Sequence, residues 1–568
     1  MKSEKKEFID YKNVKEIIKD AVSKYPDCVA FTIKNKNGKN VSYKKITYKE
    51  LNEDINAFGT ALLSIGLKGK RVAIIGKNRY EWILSYVTIL NGVGIAIPLD
   101  KGLPEQEIIT SLQRSKADII IFEENMADLM KKIKDENTTN LKTFILMDNI
   151  EKYDFLNIPK LIEKGKEEVK KGNKEYTDAE IDNNKMSVIL FTSGTTSLAK
   201  AVMISHRNIA SNVAALRYEQ PFCSTDTNIA FLPFHHMYGS TCILLMISAG
   251  VNNVFCDGLR HIQENLKEYK VSVFVCVPLI LEAMHKKIMN TIDKTGQRKK
   301  FEFGKKLSQA LLKVGIDIRR KIFKTVLDEL GGEVRAVISG AAALNKQVAE
   351  DFNAFGIYTV EGYGLTETAP VVAGENIHTM GHNSVGKPLC NVEVKIEDPN
   401  EEGIGEIAVK GPNVMLGYYE NEEDTKAVLK DGWFYTGDLG YYNKKGYLCI
   451  AGRQKSVIVL KNGKNIYPEE IETLINTLPY VEESMVFGYP KGDDLIISAK
   501  IVYNKEYFKN TSKEDIEDKV WKDIKNINKE LTIFKHIKKT IVTDEPMIKT
   551  TTAKVKRFEE IKKILQGN

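Results

Sequence analysis

Between Arg71 and Phe122, short apolar runs alternate with apolar residues at helical spacing, and no other feature limits the fold of this chain as tightly. Arg71 to Gly76, Ile95 to Pro98 and Ile119 to Phe122 read as strands, with Glu81 to Leu90 and the set Ile108, Ile109 and Leu112 as helices between them. A strand that rejoins its sheet through a helix runs parallel to the first. The spacing therefore predicts an α/β fold, with parallel-type sheets covered by helices and ligand sites at the carboxyl ends of strands.

At 568 residues the chain exceeds one ordinary core, so further units are expected after this lobe. Gly403 to Thr436 is rich in glycine and short β-type runs, which predicts a small β subdomain near 380–454. After Gly452-Arg453-Gln454-Lys455 the pattern changes: Pro468 to Leu478 reads as a helix, Met485 to Gly488 and Ile496 to Val502 as strands, and Ile516, Val520, Ile524, Ile527 and Leu531 as one helical stripe. The expected division is an N-terminal domain 1–454 and a smaller α+β C-terminal domain 455–568.

Net charge is +7, which does not by itself favour nucleic acid, and no nucleic-acid recognition motif accompanies the lysines. The seven cysteines are scattered and never spaced as a two-residue pair, so neither disulfides nor structural zinc are expected, and a reducing cytoplasm fits. Met1 to Tyr11 is charged and lacks the apolar core of a secretory signal. Cys242 to Val251 and Val271 to Leu281 are too short to span a membrane and read as buried core. His285 to Leu330 is helical and basic, with Arg298-Lys299-Lys300, Lys305-Lys306 and Arg319-Arg320-Lys321; a solvated face is one reading, and peripheral contact with an anionic membrane or an acidic ligand is the other.

Phe191-Thr192-Ser193-Gly194-Thr195-Thr196-Ser197-Leu198-Ala199-Lys200 packs hydroxyls, a glycine and a lysine between two apolar runs. Such a turn can converge backbone N–H groups and hydroxyls on an anion, although the same composition also serves plain surface turns. It is not the common P-loop, because no Gly-Lys-Ser/Thr opens a helix directly after it.

Downstream, in order, stand Leu232-Pro233-Phe234-His235-His236-Met237-Tyr238-Gly239, Ser339-Gly340-Ala341-Ala342, Glu361-Gly362-Tyr363-Gly364-Leu365-Thr366-Glu367, Gly405-Glu406-Ile407 with Gly417-Tyr418, Tyr435-Thr436-Gly437-Asp438, Gly452-Arg453-Gln454-Lys455 and Lys549-Thr550-Thr551-Thr552-Ala553-Lys554. This ordered set, over roughly Tyr48 to Phe558, resembles the adenylate-forming superfamily of acyl-CoA synthetases, luciferases and peptide-synthetase loading domains. Asp431 to Asp438 and the helical insert after Val277-Pro278 look most like the long-chain fatty acyl-CoA synthetases.

The resemblance implies a two-step acyl transfer with ATP, Mg²⁺ and coenzyme A: a long- or medium-chain fatty acid gives acyl-AMP and pyrophosphate, and a thiol then expels AMP. It assigns nucleotide binding to Thr192, Ser193, Gly194, Thr195, Thr196, Lys200, Gly340, Ala341, Ala342, Glu361, Gly362, Tyr363, Gly364, Thr366, Asp438, Ile450, Arg453 and Lys554. Glu367 and Thr192 are the implied metal ligands, and hard oxygen donors suit Mg²⁺. Lys554, Thr195, His236 and Glu367 are the implied catalytic residues. His236, Tyr238, Gly239 and Val277 would line the acyl site, and Gly463 the thiol tunnel. Lys455 would be the hinge about which the C-terminal domain turns between steps. An acyl carrier protein is the alternative acceptor.

Ser197, Ala199, Ala201 and Ala553 stand where the superfamily usually has Gly or Pro. A left-handed backbone at any of them would cost about 1–2 kcal/mol. These departures motivate a third reading, a catalytically silent nucleotide- or acyl-binding protein.

Overall fold

The computed structural model describes residues 7–38, 40–192, 199–376, 379–380, 384–461, 464–492, 494–549 and 555–566. Its contacts divide into two compact units, one running through Thr192, Lys200–Glu393 and Lys410–Gly432, the other through Val394–Val409 and Trp433 onward.

The first unit is built on two large sheets. In one, the strand order is Gly417–Tyr418, Lys200–Ser205, Met186–Thr192, Gly94–Leu99, Lys70–Ile75, Ile119–Phe122, Thr143–Leu146 and Leu156–Asn157. Lys70–Ile75 runs parallel to Gly94–Leu99, with Val72 opposite Ala96, and parallel to Ile119–Phe122, with Val72 opposite Ile119. Val72, Ala73, Ile74 and Ile75 are all buried, which is why this strand is a continuous apolar run rather than an alternating one. The predicted helices lie at Tyr80–Thr88 and Glu105–Ser115, the second turning Ile108, Ile109 and Leu112 inward. Met186–Thr192 and Lys200–Ser205 form an antiparallel hairpin with Thr192 opposite Lys200.

The second sheet has a parallel centre. Asn252–Phe255, Thr227–Ala230, Val273–Cys276, Ala336–Ser339 and Tyr358–Gly364 lie side by side in that order. The carboxyl ends of three of these strands lead into, or carry, the 232–239, 339–342 and 361–367 motifs, the placement the α/β pattern predicts.

The basic helical region is only partly the solvated face expected of it. Arg320 donates to the carbonyls of Val334 (2.7 Å) and Gly332 (2.7 Å), and Arg319 to that of Asn353 (2.9 Å). Lys305 pairs with Asp351, which also accepts from His285 at 2.8 Å. These cations tie the insert to the loop before Ala336–Ser339 and to helix Lys346–Ala354, because a guanidinium can satisfy several carbonyls at once.

In the second unit Gly405–Lys410, Trp433–Tyr442 and Leu448–Arg453 pair antiparallel. Val481–Lys491, Asp494–Tyr503 and Lys539–Thr543 form a separate three-stranded sheet. Helix Lys513–Glu530 buries Ile516, Val520, Ile524 and Ile527 of the predicted stripe, while Leu531 falls just past its end in extended backbone, and its N-cap Ser512 accepts from the Asp515 N–H. Among the described residues no helix is long and apolar enough to cross a membrane.

Candidate active site

The hairpin end, a short turn and a two-residue strand meet around one tyrosine. Lys200 Nζ lies 2.9 Å from Asp424 Oδ2 and 4.5 Å above the Tyr418 ring, and Tyr418 Oη donates to Glu367 Oε1 at 3.0 Å. Tyr418 is held by its register opposite Val202 and by donation from its own N–H to Thr425 Oγ1 at 2.9 Å. Glu367 sits on the 3-10 turn Thr366–Thr368, and its carbonyl accepts from the Met415 N–H at 2.8 Å. Thr192 Oγ1 donates weakly to the Lys200 carbonyl at 3.4 Å. Tyr418 thus joins a cation expected to face phosphate to a carboxylate expected to face a metal. The pair Gly417-Tyr418 marked the resemblance, but nothing in its spacing gave Tyr418 this place.

Among the described residues no three His, Cys, Asp or Glu side chains cluster as a metal cage. A single carboxylate and a hydroxyl are a donor set that suits Mg²⁺ delivered with its phosphates and waters, since that ion keeps much of its hydration. Tyr418→Phe keeps the ring beneath Lys200 and removes the hydrogen bond that orients Glu367. With Glu367 as a metal ligand, this is expected to lower the apparent Mg²⁺ affinity about 10–100-fold, read from a metal titration at fixed ATP.

The 339–342 and 361–367 motifs lie at the ends of two neighbouring strands. Gly340 donates its N–H to the Cys276 carbonyl at 3.2 Å, and a Cβ at Gly340 would lie 2.7 Å from Tyr238 Oη, so only glycine lets the tyrosine lie against that backbone. Tyr238 Oη and Ser339 Oγ are both buried without a hydrogen-bond partner among the described residues, which leaves two polar atoms available beside Gly340. Gly239 is equally close-packed, its missing Cβ standing 2.1 Å from the Pro233 carbonyl oxygen. Tyr363, Gly362 and Gly364 lie at the end of Tyr358–Gly364, and Thr366 opens the turn that carries Glu367. Ala341 has φ +70°, a left-handed backbone that costs an alanine about 1 kcal/mol, whereas Ala201, inside the strand Lys200–Ser205, has no positive φ. A left-handed cost is thus absent at Ala201; Ala342 follows Ala341 in the same bend.

Glu361 accepts from the Leu344 N–H at 2.6 Å, and burial, with a smaller contribution from Glu282, raises its pKa to about 7. The folded protein therefore holds this proton more tightly than the unfolded chain. Its contribution to stability is present below the ordinary carboxyl pKa of about 4.5 and is lost as pH rises to about 7. Thermal unfolding of Glu361→Gln should lose a pH-dependent stability difference of about 3 kcal/mol between pH 5 and 8 relative to the unaltered protein.

His236 is the N-cap of helix Met237–Ser248, and its Nε2 lies 3.1 Å from His235 Nε2. Burial, reinforced by His235, lowers the His236 pKa to about 4, so the imidazole is neutral near pH 7 and offers an N–H rather than a full charge. His235 Nε2 is 3.5 Å from Asp100 Oδ2, at the end of Gly94–Leu99. Asn78, beyond Lys70–Ile75, donates to the Leu232 carbonyl (2.8 Å) and accepts from the Phe234 N–H (3.1 Å). Residues of the first sheet thus clasp the histidine loop of the second. Val277 caps helix Pro278–Lys294 at the end of Val273–Cys276.

In the second unit Asp438 and Arg453 are register partners, with Arg453 Nε 2.7 Å from Asp438 Oδ1. Asp438 is buried and Arg453 half-exposed, so the guanidinium holds the carboxylate while keeping donors free for a further oxygen. Ile450 is opposite Gly440 and 37% exposed, and Lys455 lies on the exposed 3-10 turn Gln454–Ser456. Ser193, Gly194, Thr195, Thr196, Ser197, Gly463, Ala553 and Lys554 lie outside the described residues.

The sequence matches the AMP-binding enzyme family over residues 18–419 and the AMP-binding enzyme C-terminal domain over residues 455–563. It is 30% identical to long-chain-fatty-acid–CoA ligase 5 of Mus musculus, over 92% of this chain and 83% of the relative. It is 26% identical to the chloroplastic long-chain-fatty-acid–[acyl-carrier-protein] ligase AEE15 of Arabidopsis thaliana, over 96% and 85%. The crystal structure of the ATP-bound RpMatB-BxBclM chimera B1 superposes with a TM-score of 0.74, at 25% identity over 96% of this chain and 98% of the other.

Proposed function

We propose a reaction from one premise: the chain belongs to the family of AMP-binding enzymes. It joins a long-chain fatty acid to coenzyme A at the expense of ATP. A carboxylate oxygen attacks the α-phosphorus, giving acyl-AMP as the bond to pyrophosphate breaks. The thiolate of coenzyme A then attacks the acyl carbon, and AMP leaves with the anhydride oxygen. The observation that carries this reading is the near full-length similarity to the mouse long-chain-fatty-acid–CoA ligase.

In this reading Lys200 and the Thr192–Thr196 segment face the phosphates, Tyr363 and the Gly340–Ala342 turn take the adenine, and Asp438 with Arg453 takes the ribose. Neutral His236 offers its N–H to the substrate carboxylate without trapping it as an ion pair. Glu367 and Thr192 would hold Mg²⁺, which supplies neutralisation of phosphate charge. Lys455 is the hinge between domains 1–454 and 455–568, and Lys554 neutralises oxygens in the first step. A carrier-protein thiol is the alternative acceptor, the one that the name of the chloroplastic relative carries. A cytoplasmic location with peripheral contact at a membrane completes the reading.

The test is AMP and pyrophosphate release from ATP with acids from acetate to palmitate, with coenzyme A and acyl carrier protein as competing acceptors. Palmitoyl-CoA is the expected product. Absence of acyl-AMP across the whole panel would overturn the reaction and leave the silent-binder reading.

A further inference from the structure

Helix Arg298–Lys313 has two apolar faces, and a helix packed on one core needs only one. The inner face buries Phe301, Gly304 and Ser308, with Phe301 in edge contact with Phe323 at 5.7 Å and Phe355 at 6.0 Å. The outer face carries Phe303, Leu307, Ala310 and Val314 at i, i+4, i+7 and i+11, a single ridge. Phe303 is 67% exposed, Leu307 40% and Val314 70%, and Ile316, just past the helix end, is 51% exposed.

The ridge is bordered by cations. Lys299, Lys306 and Lys313 recur every seven residues along one side of it and Lys300 lies on the other. All four are exposed, and none of them makes an ion pair among the described residues, whereas Arg298 and Lys305 of the same helix are paired with Asp293 and Asp351. Glu302 is the one carboxylate on the helix. Long cationic side chains flanking an exposed apolar ridge are the chemistry of a helix lying in a bilayer interface, where the apolar groups enter the headgroup boundary and the ammonium groups reach phosphates.

We propose that this face docks on an anionic lipid surface through Phe303, Leu307, Val314 and Ile316, with Lys299, Lys300, Lys306 and Lys313 contacting the headgroups. A second copy of the chain is disfavoured as the occupant, because a two-fold pairing of the face would set lysines against lysines. A ridge, rather than a groove, suits a fluid surface that deforms around it. The proposal deepens the membrane contact named above and rests on that reading for its role in delivering a lipid-dissolved acid, but its test needs no turnover.

The full-length protein is mixed with phosphatidylcholine vesicles with and without phosphatidylglycerol, without ATP or coenzyme A, and sedimented. Binding is expected only with the anionic lipid and should weaken with salt. Each lysine is expected to contribute about fivefold, so Lys299→Ala, Lys306→Ala and Lys313→Ala together should cost about a hundredfold. Phe303→Ser with Val314→Ser should weaken binding at low salt as well. All five positions are exposed, and unchanged melting together with unchanged activation of detergent-dispersed palmitate shows that the fold is intact. Failure of the unaltered protein to bind, equal binding by the lysine variant, or self-association through this face without lipid would overturn the proposal. Failure to activate any acid would overturn the reaction and leave the lipid result standing.

Discussion

Lys554→Ala is expected to lower the rate of acyl-AMP formation by about 10²–10³-fold, measured as acid-dependent pyrophosphate release. Both the attacking carboxylate and the α-phosphate are anionic, so a positive donor matters most where their oxygens approach in the transition state. The loss should fall on kcat rather than on the KM for ATP, because the interaction strengthens as charge builds up. Conversion of supplied acyl-AMP to thioester should be retained. The fold is not at risk, since the flanks of the segment are held by other residues. The Ile548 N–H donates to Glu560 at 2.9 Å, Lys549 pairs with Glu483 at 2.6 Å, and Lys549 bridges to Val555. Glu560 is itself buried and paired with Lys500. Pyrophosphate release at the normal rate by this variant would place the essential cation elsewhere.

Glu367→Gln is expected to lower kcat/KM for ATP by about 10²–10³-fold, with partial recovery at high Mg²⁺ concentration. The glutamine keeps an oxygen for Tyr418 Oη and leaves the Met415 N–H bond to the backbone untouched, so the change removes charge with little change of shape. It should exceed the effect of Tyr418→Phe, which disturbs only the orientation of the carboxylate. If the two variants were equal, or if Mg²⁺ titration gave the same midpoint as for the unaltered protein, Glu367 would not be the ligand.

The parallel core was legible because strands covered on both faces leave continuous apolar runs such as Val72 to Ile75, and the C-terminal helix was legible because one covered face leaves a stripe such as Ile516 to Ile527. Tyr418 was not, because its partner Glu367 is 51 residues away and the bond depends on a two-residue strand pairing with the hairpin. Arg319 and Arg320 misled for a related reason. Composition records a cation but not the carbonyls of Gly332, Val334 and Asn353 that it turns to face. Ala341 has a left-handed backbone, in a motif whose residue types gave no warning of it.

The clasp of Asn78 and Asp100 on the loop from Leu232 to His236 bears on how the molecule can be cut. A fragment starting at the cradle hairpin would keep nearly every signature by which such chains are catalogued, yet would lose the amide that pins the loop and the carboxylate beside its histidines. Truncation, split-protein complementation and circular permutation should therefore keep the first hundred residues, which carry the groups that hold the histidine loop.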